Sequence, residues 1–351
     1  MDEKSQDWEL LIQNGIAREV SDVYLTSGQA PAYRMEGEVT HVWSFCLTDE
    51  VVESALRKMI TEHQYQVLQN LRELDFSWTF SGRRFRGNAY YQRGRLAVVL
   101  RLLPARIPDM AELGCPMALR NLIGADRGLI LVCGRTGSGK TTTLASFIDE
   151  VNHRRGAHIV TLEDPIEYLH RPERCFISQR EWGRDFLSFP QAMRSALRES
   201  PDIILLGEIR DQDTMRTALM AAEAGILVLG TLHTGTAADT VRRIEGMFPL
   251  NQRDTIRDAV AGVLIGIFAQ KLLPRRGGGR VCLTEVLLTG NAVQNLIRQG
   301  KYNQLDSVML CHQKDGMQTR EQALDRLYAS GLITRTTREE EAGEGKGGGC
   351  V

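Results

Sequence analysis

Residues 128–144 read GLILVCGRTGSGKTTTL. Gly128 to Cys133 is an apolar run of strand type, Gly134 to Thr141 follows the pattern G-x-x-x-x-G-K-T, and the residues from Thr142 open a helix. Strand, glycine-rich loop and helix in that order make a phosphate-binding loop. Glycines let backbone N–H groups turn inward around phosphate oxygens, and the N-terminus of the following helix adds its partial positive charge. The spacing predicts that Gly134, Arg135, Thr136, Gly137, Ser138, Gly139, Lys140, Thr141 and Thr142 surround a nucleoside triphosphate. Lys140 is expected to reach the β- and γ-phosphates, and the Thr141 hydroxyl to ligate Mg²⁺.

The remaining composition sets bounds on this reading. A chain of 351 residues at 42% hydrophobic and 25% charged suggests two globular domains. A formal net charge of −1 gives no global basic field, so no nucleic-acid partner is expected. Seven cysteines lie scattered without a CxxC pair, which fits reduced thiols in the cytoplasm. MDEKSQDWELL at the N-terminus lacks the basic-then-apolar pattern of a signal peptide. The longest apolar stretch, Ala259 to Ala269, is too short to cross a bilayer, so no transmembrane segment is expected.

Along the chain, residues 7–17 carry apolar positions at helical spacing, and VSDVYLTSG alternates like a half-buried strand. AYRMEGEVTHVW suggests a hairpin turning at Glu36-Gly37. Leu47 to Asn70 reads as helical, opened by Thr48-Asp49-Glu50. Three further runs rich in aromatic and β-branched residues reach Leu102. Residues 1–102 therefore read as a small α+β domain with an antiparallel sheet. Residues 103–115, with two prolines, read as a linker. From Gly128 the apolar strands LILVC, HIVTLE, DIILLGE and ILVLGTLH follow, with helices after the first and third. Continuous apolar strands of this kind belong to a parallel sheet covered on both faces, the pattern of an α/β RecA-like P-loop domain. Asp254 to Thr334 is expected to be helical, completing a domain over 116–334. Residues 335–351, charged and glycine-rich with nothing to bury, read as a disordered tail, and Cys350 lacks the terminal spacing for prenylation.

Three strand ends carry chemistry. Glu163 and Asp164 lie where a parallel strand meets the ligand crevice, so either can orient an attacking water, although taken alone a helix cap or an acidic turn explains them better, since Asp before Pro is common turn chemistry. Glu208 ends the strand in SPDIILLGEIRD, where Asp is more usual, and can hold Mg²⁺ through its water shell. Asp211 and Asp213 start the next helix, while Arg210 faces either a carboxylate or a phosphate. His233 ends GILVLGTLH at the same sheet edge, which suits a γ-phosphate sensor. In the first domain Arg83, Arg84, Arg86 and Arg101 form either a surface patch or arginines that reach a neighbouring subunit's nucleotide, a role worth about 10³–10⁵ in rate. Tyr90 and Tyr91 nearby leave RNA binding open.

Together, GRTGSGKTTT, TLEDPIEYLH, SPDIILLGEIRD and TLHTGTAADTVRRI resemble the Walker A, Asp, Walker B and His boxes of the type IV pilus retraction ATPases, the PilT-like branch of the type II/IV secretion ATPases. The resemblance spans about residues 7–334. It implies an ATP-hydrolysing motor with ATP and Mg²⁺ as cofactors, Glu163 as general base, Glu208 as Walker B acid and magnesium ligand through water, and His233 on the γ-phosphate. It implies that Arg84, Arg86 or Arg101 completes the site in trans, with Arg210 a further candidate. It also implies a PAS-like first domain and a homo-hexamer at the inner face of the membrane, acting on a pilus platform protein, with a second pilus ATPase as a further partner. AVQNLIRQGK, residues 292–301, is similar to the AIRNLIRE-type segment of these motors, with Val293, Gln294 and Gln299 departing from it. No tetracysteine insert follows the His box, which disfavours the assembly and type II secretion branches. The expected rivals are an accessory pilus, DNA-uptake or secretion ATPase and a RecA-like nucleic-acid translocase.

Overall fold

The structure is a computed structural model describing residues 7–344. The chain forms two units: one runs to Arg106 and takes in Pro165–Leu169, and the other comprises Ile107–Asp164 and the chain from His170 onward.

Helices packed on an antiparallel sheet build the first unit. Helix α1 (Trp8–Ala17) begins at Asp7, whose side chain accepts the N–H groups of Glu9 and Leu10. Strands β1 (Asp22–Thr26), β2 (Ala32–Met35) and β3 (Glu38–His41) follow. Glu36 and Gly37, at φ 50° and 91°, close the expected β2–β3 turn. Helices α2 (Asp49–Met59) and α3 (Glu62–Leu71) replace the single helical segment read over Leu47–Asn70. The break comes at Ile60, which is extended, and at Thr61, which forms a capping box with Gln64 and starts a new helix. Strands β4 (Glu73–Phe80), β5 (Arg83–Gln92) and β6 (Arg95–Leu102) complete an antiparallel sheet in the order β3-β2-β1-β6-β5-β4. Leu11 and Ile12 of α1, Leu56 of α2 and Leu68 of α3 share a core with Leu25, Phe85 and Leu100. Each such side chain contributes about 1.5–3 kcal/mol by leaving water.

The second unit starts inside the expected linker, since Met110 and Cys115 are already buried in its core. Helix α4 (Met117–Asn121) leads to β7 (Gly128–Cys133), α5 (Lys140–Arg154), β8 (His158–Glu163), β9 (Phe176–Glu181), α6 (Phe189–Ala196) and β10 (Ile203–Leu206). Helix α7 (Gln212–Glu223), β11 (Leu227–Leu232), α8 (Ala237–Gly246) and α9 (Arg253–Val263) come next. The four apolar strands read from sequence pair in parallel in the order β7-β11-β10-β8, with every residue of β7, β10 and β11 buried.

The helical reading of Asp254–Thr334 needs correction. Strands β12 (Leu264–Pro274) and β13 (Arg280–Leu288) form an antiparallel hairpin whose first strand runs parallel to β7. Apolar runs of this length fit either a buried strand or a buried helix by periodicity alone. Here pairing with β7 decides, and Gly277, Gly278 and Gly279, all at positive φ, make the turn between the two strands. Helices α10 (Asn291–Arg298), α11 (Leu305–Cys311) and α12 (Arg320–Ala329) are found where helices were expected. The tail reading also changes over residues 335–344, while 345–351 lie outside the described residues. Residues 335–344 form helix α13 (Arg335–Glu344), in which Glu341 pairs with Lys271 and Arg320, both at 2.7 Å, and Ala342 packs on an apolar cluster around Leu273. Cys350 lies outside the described residues. No helix among the described residues is long and apolar enough to cross a membrane.

Candidate functional site

The phosphate loop hangs between β7 and α5. Gly134 sits at φ 149°, and a Cβ there would lie 2.4 Å from both the Gln270 carbonyl oxygen of β12 and Ser138 Oγ. Only glycine fits such a position. Gly139, at φ 89°, is the N-cap of α5 and Lys140 is its first residue. The largely buried Lys140 Nζ donates to the carbonyls of Gly134 at 2.9 Å and Arg135 at 3.2 Å, which spans the loop with an ammonium at the helix N-terminus. Ser138 Oγ is buried with no hydrogen-bond partner. Arg135, Thr136, Gly137 and Ser138 open into a cleft of about 320 Å³ whose far wall includes Lys271, Arg280 and Arg320. A buried ammonium, an unpartnered hydroxyl and a glycine cradle suit a polyphosphate chain.

At the same edge of the sheet the strand ends are linked by contacts. Thr136 Oγ1 of the phosphate loop lies 3.5 Å from His233 Nδ1. His233 Nε2 lies 3.4 Å from Glu208, and Arg210 bridges Glu208 at 2.8 Å and Asp164 at 3.5 Å. Glu163, the last residue of β8, is buried, and its Oε1 accepts from Thr161 Oγ1 at 2.6 Å and Gln179 Nε2 at 3.2 Å. Asp211 caps α7 by accepting the Thr214 N–H at 2.8 Å, and Asp213 lies in the first turn, as their positions suggested. Arg210, with 61% of its side chain exposed, meets these two carboxylates.

The arginines of the first unit divide into two kinds. Arg84 is buried, donating through Nη2 to Ser77 Oγ at 2.6 Å, through Nη1 to Thr79 Oγ1 at 3.2 Å and through Nε to the Ile166 carbonyl at 3.2 Å. Its guanidinium is engaged within its own unit. Arg86 is exposed, and Arg101 stands opposite it in the β5–β6 ladder, tied through Nε to Asp22 at 2.9 Å while 68% of its side chain remains exposed.

Two residues that sequence reasoning passed over hold this edge from behind. Gln270 of β12 donates to Thr143 Oγ1 of α5 at 2.9 Å, and the Thr143 hydroxyl lies 3.2 Å from Gln270 Oε1. Glu285 of β13 accepts the Ala237 N–H, at the start of α8, at 2.6 Å. Burial pushes the Glu285 carboxyl up to about 7; Asp306 and Asp239 add to the rise, while the Ala237 N–H and Arg320 oppose it. A polar residue inside a buried strand implies a partner. That signal was present in IFAQKLL and LTEVLL, but it carries no such weight when the segment is read as a helix.

Fold and site together define a RecA-like P-loop ATPase. The chain belongs to the family described as type II/IV secretion system proteins, whose model matches residues 91–338. It is 41% identical to the type IV pilus retractation ATPase PilT of Pseudomonas aeruginosa, over 92% of this chain and 94% of that protein. It is 42% identical to the uncharacterized protein YggR of Escherichia coli, over 93% and 99%. A crystal structure of the pilus retraction motor PilT with bound ADP superposes with a TM-score of 0.88 at 44% identity, covering 95% of this chain and 96% of that one. The chain is an ATPase of the PilT type.

Proposed function

We propose that this ATPase is the motor of type IV pilus retraction, working as a hexameric ring that pulls on a membrane platform protein from the cytoplasmic side. The observation that carries the catalytic reading is the run of contacts from Thr136 through His233, Glu208 and Arg210 to Asp164, which joins all four boxes at one sheet edge. The phosphate loop and Lys140 hold the β- and γ-phosphates, and His233 meets the γ-phosphate. Thr141, second in α5, and Glu208 suit Mg²⁺, the first by its hydroxyl and the second through water. Held by these two residues, the ion would supply positive charge opposite the transferred phosphoryl group. Glu163, oriented by Thr161 and Gln179, positions the attacking water. Catalysis is then mostly placement and charge stabilisation. Arg86 and Arg101 are the favoured arginines for a neighbour's nucleotide because Arg84 is spent internally.

Deleting the gene, counting surface pili and measuring twitching tests the reading. Excess pili without motility supports a retraction motor, and normal pilus number with normal motility excludes it. A partial loss of motility favours the accessory role, which the glutamines at 294 and 299 in the AIRNLIRE-type segment also favour.

A further inference from the structure

His233 sits in a short loop between β11 and α8, and that loop is pinned at both ends. At its start, the Leu232 carbonyl accepts the Gly134 N–H at 3.2 Å. Within it, Thr234 Oγ1 meets Thr240 Oγ1 at 2.7 Å, and Thr240 Oγ1 donates back to the Thr236 carbonyl at 2.7 Å. Thr236 is the N-cap of α8 and accepts the Asp239 N–H at 3.1 Å. The next donor, the Ala237 N–H, belongs to the first turn, where helix N–H groups have no partner inside the helix and usually turn to solvent. Ala237 is fully buried, so solvent is denied it. The partner arrives from another element, since Glu285 lies 48 residues along the chain on β13.

We propose that Glu285 is a positioning residue for ATP hydrolysis, fixing the N-terminus of α8, and with it the His233 loop, against the phosphate loop. With burial raising its pKa to about 7, the carboxyl exists in both forms at neutral pH, and either form offers Oε1 to the Ala237 N–H; the ionised form makes the stronger, charge-assisted bond. The carboxylate also faces the positive end of the α8 dipole. Asp239 on α8, Asp306 on α11 and Arg320 on α12 are the charged groups around it. Glu285 pairs across the hairpin with Ala269, next to Gln270, which grips α5. One hairpin thus holds both helices whose N-termini face the cleft, α5 through Gln270 and α8 through Glu285. Loosening Glu285 shifts His233 while leaving Lys140 and the phosphate loop on their own supports, so turnover suffers and nucleotide binding does not. The inference rests on reading His233 as the γ-phosphate contact.

The test is steady-state ATP hydrolysis by the full-length protein and its variants. In Glu285→Ala, kcat falls about tenfold or more while KM for ATP changes less than about twofold, the signature of a misplaced group that matters in the transition state. Ala237→Pro removes the same hydrogen bond from the donor side, after an already extended Thr236, and its ring displaces the Glu285 oxygen now 2.6 Å from that nitrogen. It shows the same split. Glu285→Gln keeps an acceptor and returns kcat to within about threefold of wild type. The proposal is overturned if Glu285→Ala and Ala237→Pro both turn over at the wild-type rate, if both lose kcat and ATP affinity together, or if Glu285→Gln is as slow as Glu285→Ala. His233→Ala separates the two readings: a wild-type rate in that variant sinks the His-box assignment itself, whereas a slow His233→Ala beside a fast Glu285→Ala sinks only the role of Glu285.

Discussion

Replacing Gly134 by alanine strikes the phosphate loop where it is tightest. The new methyl would lie 2.4 Å from Ser138 Oγ, which can swing aside, and 2.4 Å from the Gln270 carbonyl oxygen, which is backbone of β12 and cannot move without that strand. The positive φ alone costs about 1–3 kcal/mol for a residue with a Cβ, and the overlap adds to it. Relief comes only by opening the loop, whose Gly134 and Arg135 carbonyls are the ones Lys140 holds. If the loop absorbs the strain, ATP affinity falls by the same free energy, about 5- to 150-fold for 1–3 kcal/mol. Gly137→Ala is the contrast, for φ is 78° there and no heavy atom lies within 4 Å of a built Cβ. Only the conformational cost remains, about 1–2 kcal/mol. Nucleotide-free thermal unfolding should rank Gly134→Ala below Gly137→Ala, and titration with a fluorescent ATP analogue should show the affinity loss in Gly134→Ala. Unchanged Tm and affinity in Gly134→Ala, or the reverse order of Tm, would refute the steric argument.

Further outcomes follow from the same geometry. Glu163→Gln should still bind ATP but turn it over about 10²–10³ times more slowly, as when one preorganised catalytic group is lost; single-turnover hydrolysis at the wild-type rate removes Glu163 from the mechanism. Arg101→Ala should lose hydrolysis in the assembled protein, and mixing it with Lys140→Ala should restore part of it if the arginine serves a neighbour; no rescue returns Arg101 to a surface role. Glu285 has a folded pKa raised from 4.5 to about 7, so its contribution to stability is fully present below pH 4.5 and is lost as pH rises through 7. At about 1.4 kcal/mol per pH unit, wild type loses about 3 kcal/mol more than Glu285→Gln between those limits. Denaturant melts of both proteins across that range measure the difference, and parallel pH curves would contradict it.

Much of the site was legible because its demands are local. Gly134 and Gly139 announce a backbone only glycine tolerates, Lys140 and Thr141 follow at fixed spacing, and continuous apolar strands announce a parallel sheet whose ends carry Glu163, Glu208 and His233 to one edge. These readings need no knowledge of which strand pairs with which. The β12–β13 hairpin escaped because an apolar run of that length satisfies strand and helix alike, and pairing with β7, more than a hundred residues earlier, resolved it. Tertiary structure alone showed that Arg84 is engaged by Ser77, Thr79 and Ile166 while Arg86 and Arg101 are exposed, since arginines on one sheet face look alike in sequence whatever each comes to touch. It also decided the roles of Gln270 and Glu285. A sequence states that a polar residue lies in an apolar strand, but the hydrogen bond that compensates its burial is made to Thr143 or Ala237, far along the chain, and exists only once the sheet has brought them together.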